Sequence, residues 1–161
     1  MIAVGIDPGR EGGIVALNKN GEPILKEIMP KDPLQLHDML KDFKDLREPT
    51  LIFLEEAHPR PGNGVKSTFS FGYHNGQLDV CLRFLGIPYE LVSPHVWAKL
   101  MHAGCRGDTT KQKSQQAVER LFPGISLPRS TARALKMHEG VMEALLIAEY
   151  GRRKLMEWKT R

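Results

Sequence analysis

The sequence has little of what would place it outside ordinary globular proteins. It has two cysteines, Cys81 and Cys105, and their spacing matches no zinc motif. Idle thiols in a reducing cytoplasm are the expectation, because cytosolic disulfides are rare. No apolar run approaches the ~18 residues that a membrane span requires. No basic stretch followed by an apolar one opens the chain, since Asp7 interrupts it at once. No secretory signal is therefore read, and a cytoplasmic location is expected. There is no internal repeat and no low-complexity segment. His37, His58, His74, His95, His102 and His138 fall in no HxH or HExxH pattern, which removes the common zinc ligand sets and leaves surface or packing roles.

What is present fits one compact domain spanning residues 1–161. At that length folding buries roughly 70% of the unfolded chain's surface, enough for a core without staples. Hydrophobic residues make up 41% and charged residues 26%, ordinary for a globular protein. The net charge of +4 is compatible with a polyanionic partner. Lys99, Arg106, Lys111 and Lys113 gather in one stretch, and Arg152, Arg153, Lys154, Lys159 and Arg161 in the tail. The tail also fits a solvated helix end, where cations meet the negative terminus.

Residues 2–7 read as a buried strand stopped by Pro8-Gly9. Strands follow at 13–17 and 23–28 across a turn at 18–21, and the three resemble an antiparallel meander. Leu34, Leu36, Met39, Leu40 and Phe43 have helical spacing within 34–46. Residues 50–56 form a strand ending in Glu55 and Glu56, and 59–64 a loop of proline and glycine. A helix over 76–85, a strand at 88–92 and a helix capped by Ser93 come next. After a polar loop at 104–108, Thr109 or Thr110 caps a helix running to Phe122. Residues 129–136 are basic and irregular, and a last helix covers 137–158. Hairpins followed by alternating strands and helices imply an α/β domain with a mixed sheet.

The carboxylates carry the chemistry. Asp7 ends an apolar strand, and Pro8 holds it extended, although aspartate at a strand end often only starts a turn. Glu55 and Glu56 close a continuous apolar run of the kind covered on both faces. They point to opposite faces, so one leans toward packed structure and needs a partner or a cation. Glu56 is expected to be exposed or to act from behind the site. Glu139 and Glu143 are four apart, about 40° around a helix and about 6 Å along it, where like charges repel. Ala144 to Ala148 is apolar all round, as in a buried helix. A divalent cation is the simplest compensation, and a buried Arg or Lys partner is the alternative. Gly140 between them costs about 1 kcal/mol relative to alanine, which points to close approach by a strand or by substrate, or to a frayed helix start. His138 stands about 140° from Glu143 on an ideal helix, which argues against shared ligation. Four such carboxylates offer hard oxygen ligands suited to Mg²⁺ or Mn²⁺. Two such ions suit in-line hydrolysis of a phosphodiester.

These motifs resemble a known family. Gly5-Ile6-Asp7-Pro8-Gly9 with Gly12-Gly13-Ile14-Val15-Ala16-Leu17 looks like the first strand and hairpin of RuvC-type Holliday-junction resolvases. Leu54-Glu55-Glu56 resembles their second acidic motif. His138-Glu139-Gly140-Val141-Met142-Glu143-Ala144-Leu145-Leu146-Ile147-Ala148 resembles their closing acidic helix, in the version seen in bacteriophage proteins. The resemblance runs in order over nearly the whole chain. It implies an RNase H-like fold, a mixed central sheet (antiparallel meander plus parallel strands) flanked by helices. It further implies a homodimer, two Mg²⁺ or Mn²⁺ ions, paired nicks in four-way DNA junctions, no nucleotide cofactor, and the cytoplasm of a bacterial host if phage-encoded. Asp7, Glu55 and Glu143 match the first, second and last acids. The family usually sets the remaining acid three residues before the last, here Gly140, and usually has aspartates at both; Glu139 is the substitute that keeps the helix face. Lys99 and Lys111 match basic residues that approach DNA, with Lys113 a near alternative. Phe69, Phe71 and Tyr73 lie where the family sets aromatics against bases at the exchange point; core or dimer packing is the other reading of all three.

Rival readings are a nuclease of the same fold for other branched DNA or RNA, a non-catalytic junction binder, and an actin-like phosphate-binding ATPase fragment. The last is suggested by Asp7-Pro8-Gly9 with Gly12-Gly13, whose superfamily needs two such domains.

Overall fold

The computed structural model describes residues 1–46, 48–56, 58, 62, 64–129, 131 and 136–159, with the side chain of the last excepted. Most of the expected loop at 59–64 and basic segment at 129–136 lies outside the described residues.

The first three strands, β1 (Ile2–Asp7), β2 (Gly13–Asn18) and β3 (Pro23–Ile28), form the expected antiparallel meander. Helix α1 (Pro33–Asp45) begins where the Asp32 carboxylate accepts the Leu34 amide at 3.1 Å, a side-chain cap on one of the orphan amides of the first turn. It returns the chain to β4 (Thr50–Glu55), which lies parallel to β1. Helix α2 (Val65–Leu85) then crosses to β5 (Tyr89–Val92), parallel to β4. The sheet order is β3-β2-β1-β4-β5. Helices α3 (Pro94–Met101), α4 (Thr110–Leu121) and α5 (Glu139–Lys159) complete the chain. Thr109 and Gln112 form a reciprocal capping box at the start of α4, which satisfies two orphan amides at once.

Helix α2 is longer than the expected 76–85. Its first half, with Phe69, Phe71 and Tyr73, is helical rather than a Gly-flanked connection. Gly72 and Gly76 interrupt the sequence pattern, and apolar residues on two sides of the helix blur its periodicity.

The sheet is covered on both faces. Ile2, Val4, Ile6, Ile52 and Leu54 pack with Leu36, Leu40, Leu78 and Leu82 of α1 and α2. Alternate residues Ala3, Val15, Leu17 and Phe53 pack on the other face with α5, and with Trp97, Met101, Ala117 and Val118 of α3 and α4. Helix α5 is thus enclosed between the sheet and two further helices, and Ala144 to Ala148 are fully buried. Its apolar-all-round sequence has that cause. The helix also comes unusually close. A methyl group on Gly5 would sit 2.1 Å from the Ala144 carbonyl oxygen, so only glycine admits this backbone-to-backbone contact. Among the described residues, no helix is long and apolar enough to cross a membrane.

The basic tail has a structural role. Glu149 is 4% exposed. Arg152 donates to it at 2.7 and 2.9 Å, and Arg153 at 2.7 Å. Arg152 also reaches the Lys19 carbonyl at 3.2 Å, clasping the β2–β3 turn. Lys154 pairs with Glu90 of β5 at 2.5 Å and stands over the Trp158 ring. Burial alone would raise the Glu149 pKa, but the hydrogen bonds from Arg152 and Arg153 outweigh it and hold the carboxyl below its ordinary range. A depressed folded-state pKa contributes stability above the unfolded value, and that contribution is lost as pH falls through the folded one. Glu149→Gln should therefore destabilise by about 2 kcal/mol at neutral pH. Urea unfolding should show the gap to wild type closing as pH drops below about 4.3. A gap that stayed constant down to pH 3 would contradict this assignment.

Candidate active site

Parallel neighbours end at the same edge of a sheet. Ile6 of β1 faces Leu54 of β4, so the next residues, Asp7 and Glu55, stand side by side at the carboxyl ends of adjacent strands. Alternation decides where they point. Ala3 and Phe53 belong to the α5 face, and Asp7 and Glu55 share their parity. Glu56 takes the opposite face. Its amide donates to the Val92 carbonyl at 2.8 Å and extends the β4–β5 pairing, while its carboxylate, 44% exposed, lies 3.6 Å from His58. This agrees with the expected role outside the acidic group.

The start of α5 is held over the same edge. Asp7 is the register partner of Gly13. A methyl group on Gly13 would lie 2.7 Å from the Val141 Cα, and one on Gly140 would lie 2.3 Å from the Glu11 carbonyl oxygen. Gly140, in the first turn of α5, therefore admits close approach of the β1–β2 hairpin. The contact sets Glu139 and Glu143 on either side of the point where α5 touches the β1–β2 hairpin.

The four acids differ in surroundings. Asp7 is half-buried, and its Oδ1 accepts the Gly9 amide at 3.3 Å, so it also shapes the turn. Glu55 is half-buried with Oε2 fully enclosed. Glu143 is half-buried on the otherwise apolar helix. Glu139 is exposed and paired with Lys111 in the first turn of α4, at 2.5 Å. Among the described residues, no three His, Cys, Asp or Glu side chains stand close enough together to hold a metal ion as placed. The donor set suits a hard divalent cation in kind, being all carboxylate oxygen. Asp7 and Glu55 end adjacent strands on the α5 face, and Glu139 and Glu143 flank the contact of α5 with the hairpin.

The other expected residues fall in two groups. Lys99 ends α3 and Lys111 and Lys113 begin α4. Lys99 and Lys111 are exposed and Lys113 is half-buried. Of the two α4 lysines, Lys111 is the one in contact with an acid of the group. Phe69 and Tyr73 are 75% and 58% exposed on α2, which rules out the core role for both. Phe71 is half-buried. As the crossover between parallel strands, α2 starts at the acidic edge and runs back from it.

His138 is buried, with Nε2 3.8 Å from Glu11 Oε2 and Nδ1 without a hydrogen-bond partner among the described residues. Its role as read is packing at the hairpin. His102 contacts the Ser114 hydroxyl at 3.0 Å and the edge of Trp97. Burial first, then Lys113 and Arg120, hold it below the usual histidine range.

No protein-family model and no curated protein matches the chain. Solved structures do. The chain is similar to Thermus thermophilus RuvC in complex with a Holliday junction substrate, at a TM-score of 0.62 and 17% identity. That match covers 98% of this chain and 96% of the other. A second structure of Thermus thermophilus RuvC matches at 0.56 and 20% identity, covering 96% and 97%. The fold is that of RuvC. It is an RNase H-like α/β fold, as the sequence motifs led one to expect.

Sequence reading missed two features of this site. The Lys111–Glu139 pair joins residues far apart in the chain, and no local pattern signals it. The outward stripe of α2, with Val65, Phe69, Tyr73, Val80 and Phe84 all exposed, has spacings of four and seven that a longer helix assignment would have revealed.

Proposed function

We propose that the chain is a structure-selective endonuclease that resolves four-way DNA junctions by phosphodiester hydrolysis, with Asp7, Glu55, Glu139 and Glu143 holding two Mg²⁺ or Mn²⁺ ions. The observation that supports this is the placement of acids at one sheet edge. Two acids end adjacent parallel strands on one face, and two more flank the point where α5 touches the hairpin. An acidic group at a phosphate-binding site is repulsive unless cations intervene. The ions, when bound, neutralise charge on the scissile phosphate and supply an acidified water.

The chain's own residues handle binding and orientation. Lys99, Lys111 and Lys113 would meet the sugar-phosphate backbone, each neutralised phosphate adding to affinity and to salt dependence. Phe69, near the start of α2, would present an open aromatic face to bases, where stacking contributes about 1–3 kcal/mol per base. Tyr73, beside Gly72 and Gly76, would be shared with a dimer contact along α2. Phe71, half-buried, suits anchoring the helix better than stacking. The similar RuvC structure bound to a junction supports the choice of branched DNA over linear duplex.

Paired nicks in a junction require two sites related by a twofold axis, which a homodimer supplies. The outer face of α2 suits that contact. Methyl groups on Gly72 and Gly76 would meet nothing within 4 Å, so no described part of this chain uses the space these glycines leave. A second copy of α2 crossing there would use it, with Val80 and the 86% exposed Phe84 on its flank.

Asp7→Asn should abolish cleavage of a four-way junction, while junction binding at matched salt stays equal or tightens. Wild-type cleavage rates from this variant, or wild-type protein that cuts flaps and linear duplex as fast as junctions, would overturn the reading. Phe84→Asp should convert a dimer to a monomer in sedimentation velocity without lowering the unfolding midpoint. Wild-type protein that remains monomeric at all concentrations and on the junction would refute the dimer.

A further inference from the structure

Lys111 and Glu139 belong to the two halves of the proposed site, one to the DNA contacts and one to the acids. In this structure they are engaged with each other. The Lys111 ammonium lies 2.5 Å from Glu139 Oε2, and the two side chains are 50% and 47% exposed. The pair bridges two fixed points. The Thr109–Gln112 capping box sets where α4 begins. The contact of Gly140 with Glu11 and Gly12 sets where α5 begins. Both partners hang from rigid helix starts by flexible, solvated side chains, so either can turn away without backbone movement.

The pairing suspends both assigned tasks. A lysine neutralised by a carboxylate offers little to a phosphate. A glutamate held by a lysine is not available to a cation beside Asp7, Glu55 and Glu143. We propose that Lys111 and Glu139 form an exchange pair: a DNA phosphate takes Lys111, and the released Glu139 carboxylate becomes available to a cation held by the other three acids. The acidic group is then completed only where a phosphate has arrived. This rests on the nuclease reading above and adds to it a coupling between substrate contact and assembly of the site. No covalent bond changes; one ion pair is traded for another. An exposed pair of this kind is worth a factor of about two to five in an equilibrium constant. That is weak enough for a phosphate to displace and strong enough to bias the resting state.

A double-mutant cycle tests the exchange without any metal. Junction binding is measured at one salt concentration in EDTA for wild type, Lys111→Met, Glu139→Gln and the double variant. Loss of Lys111 should weaken binding about two- to fivefold more in the Glu139→Gln background than in wild type, because only there is Lys111 free beforehand. The same cycle on thermal unfolding of the DNA-free proteins should show favourable coupling, since the pair exists before DNA arrives. Additive losses in DNA binding, with junction binding itself intact, would overturn the exchange alone. Absence of coupling in the unfolding cycle would overturn it as well. Failure of all four proteins to bind the junction would overturn the junction reading, and the exchange with it.

Discussion

Helix α5 meets β1 and the β1–β2 hairpin backbone to backbone, with glycine at Gly5, Gly13 and Gly140 where any side chain would collide. Such contacts leave no room for sliding, because packed backbone cannot give as the tip of a side chain can. Every other feature of the acidic edge follows. The contact fixes the height of α5 over the sheet, and so the distance of Glu139 and Glu143 from the ends of β1 and β4. Parallel pairing of β1 with β4 and their period-two alternation do the rest. Just past Gly140, in the first turns of α5, Val141, Ala144, Leu145 and Ala148 are buried in the core beneath the sheet.

The two ends of α5 handle charge differently. At the far end, buried Glu149 is surrounded by Arg152 and Arg153, and Lys154 is drawn to Glu90. Arg152, Arg153 and Lys154 are thus engaged in anchoring the helix. At the near end Glu139 and Glu143 flank the contact with the hairpin, and Lys111 of α4 pairs with Glu139. The helix is fastened at one end and chemically poised at the other.

Much of this was legible in the sequence, for physical reasons. The strands bearing Asp7 and Glu55 are apolar runs cut short by a carboxylate, a pattern that burial alone does not explain. The apolar surround of Glu143 announced an enclosed helix, and Thr109 or Thr110 marked the start of α4 to within one residue, Thr109 being the cap. Less was legible where two surfaces compete for one element. The first half of α2 was missed because Gly72 and Gly76 weaken the helical signal, and because its exposed Phe69 and Tyr73 share the helix with buried Leu78 and Leu82. The tail charges read equally well as a binding surface or a helix end until the burial of Glu149 was seen. The pairing of Lys111 with Glu139 depends on how α4 packs on α5, which no local spacing encodes.

The central claim is that the acids at this edge are cation ligands for phosphodiester chemistry. Anomalous diffraction from crystals grown with Mn²⁺ addresses it directly. The account predicts an Mn²⁺ peak between the carboxylates of Asp7, Glu55 and Glu143, with a second ion or a turned Glu139 beside it when DNA is bound. Mn²⁺ that binds elsewhere, with the four carboxylates left unligated in the presence of junction DNA, would contradict it.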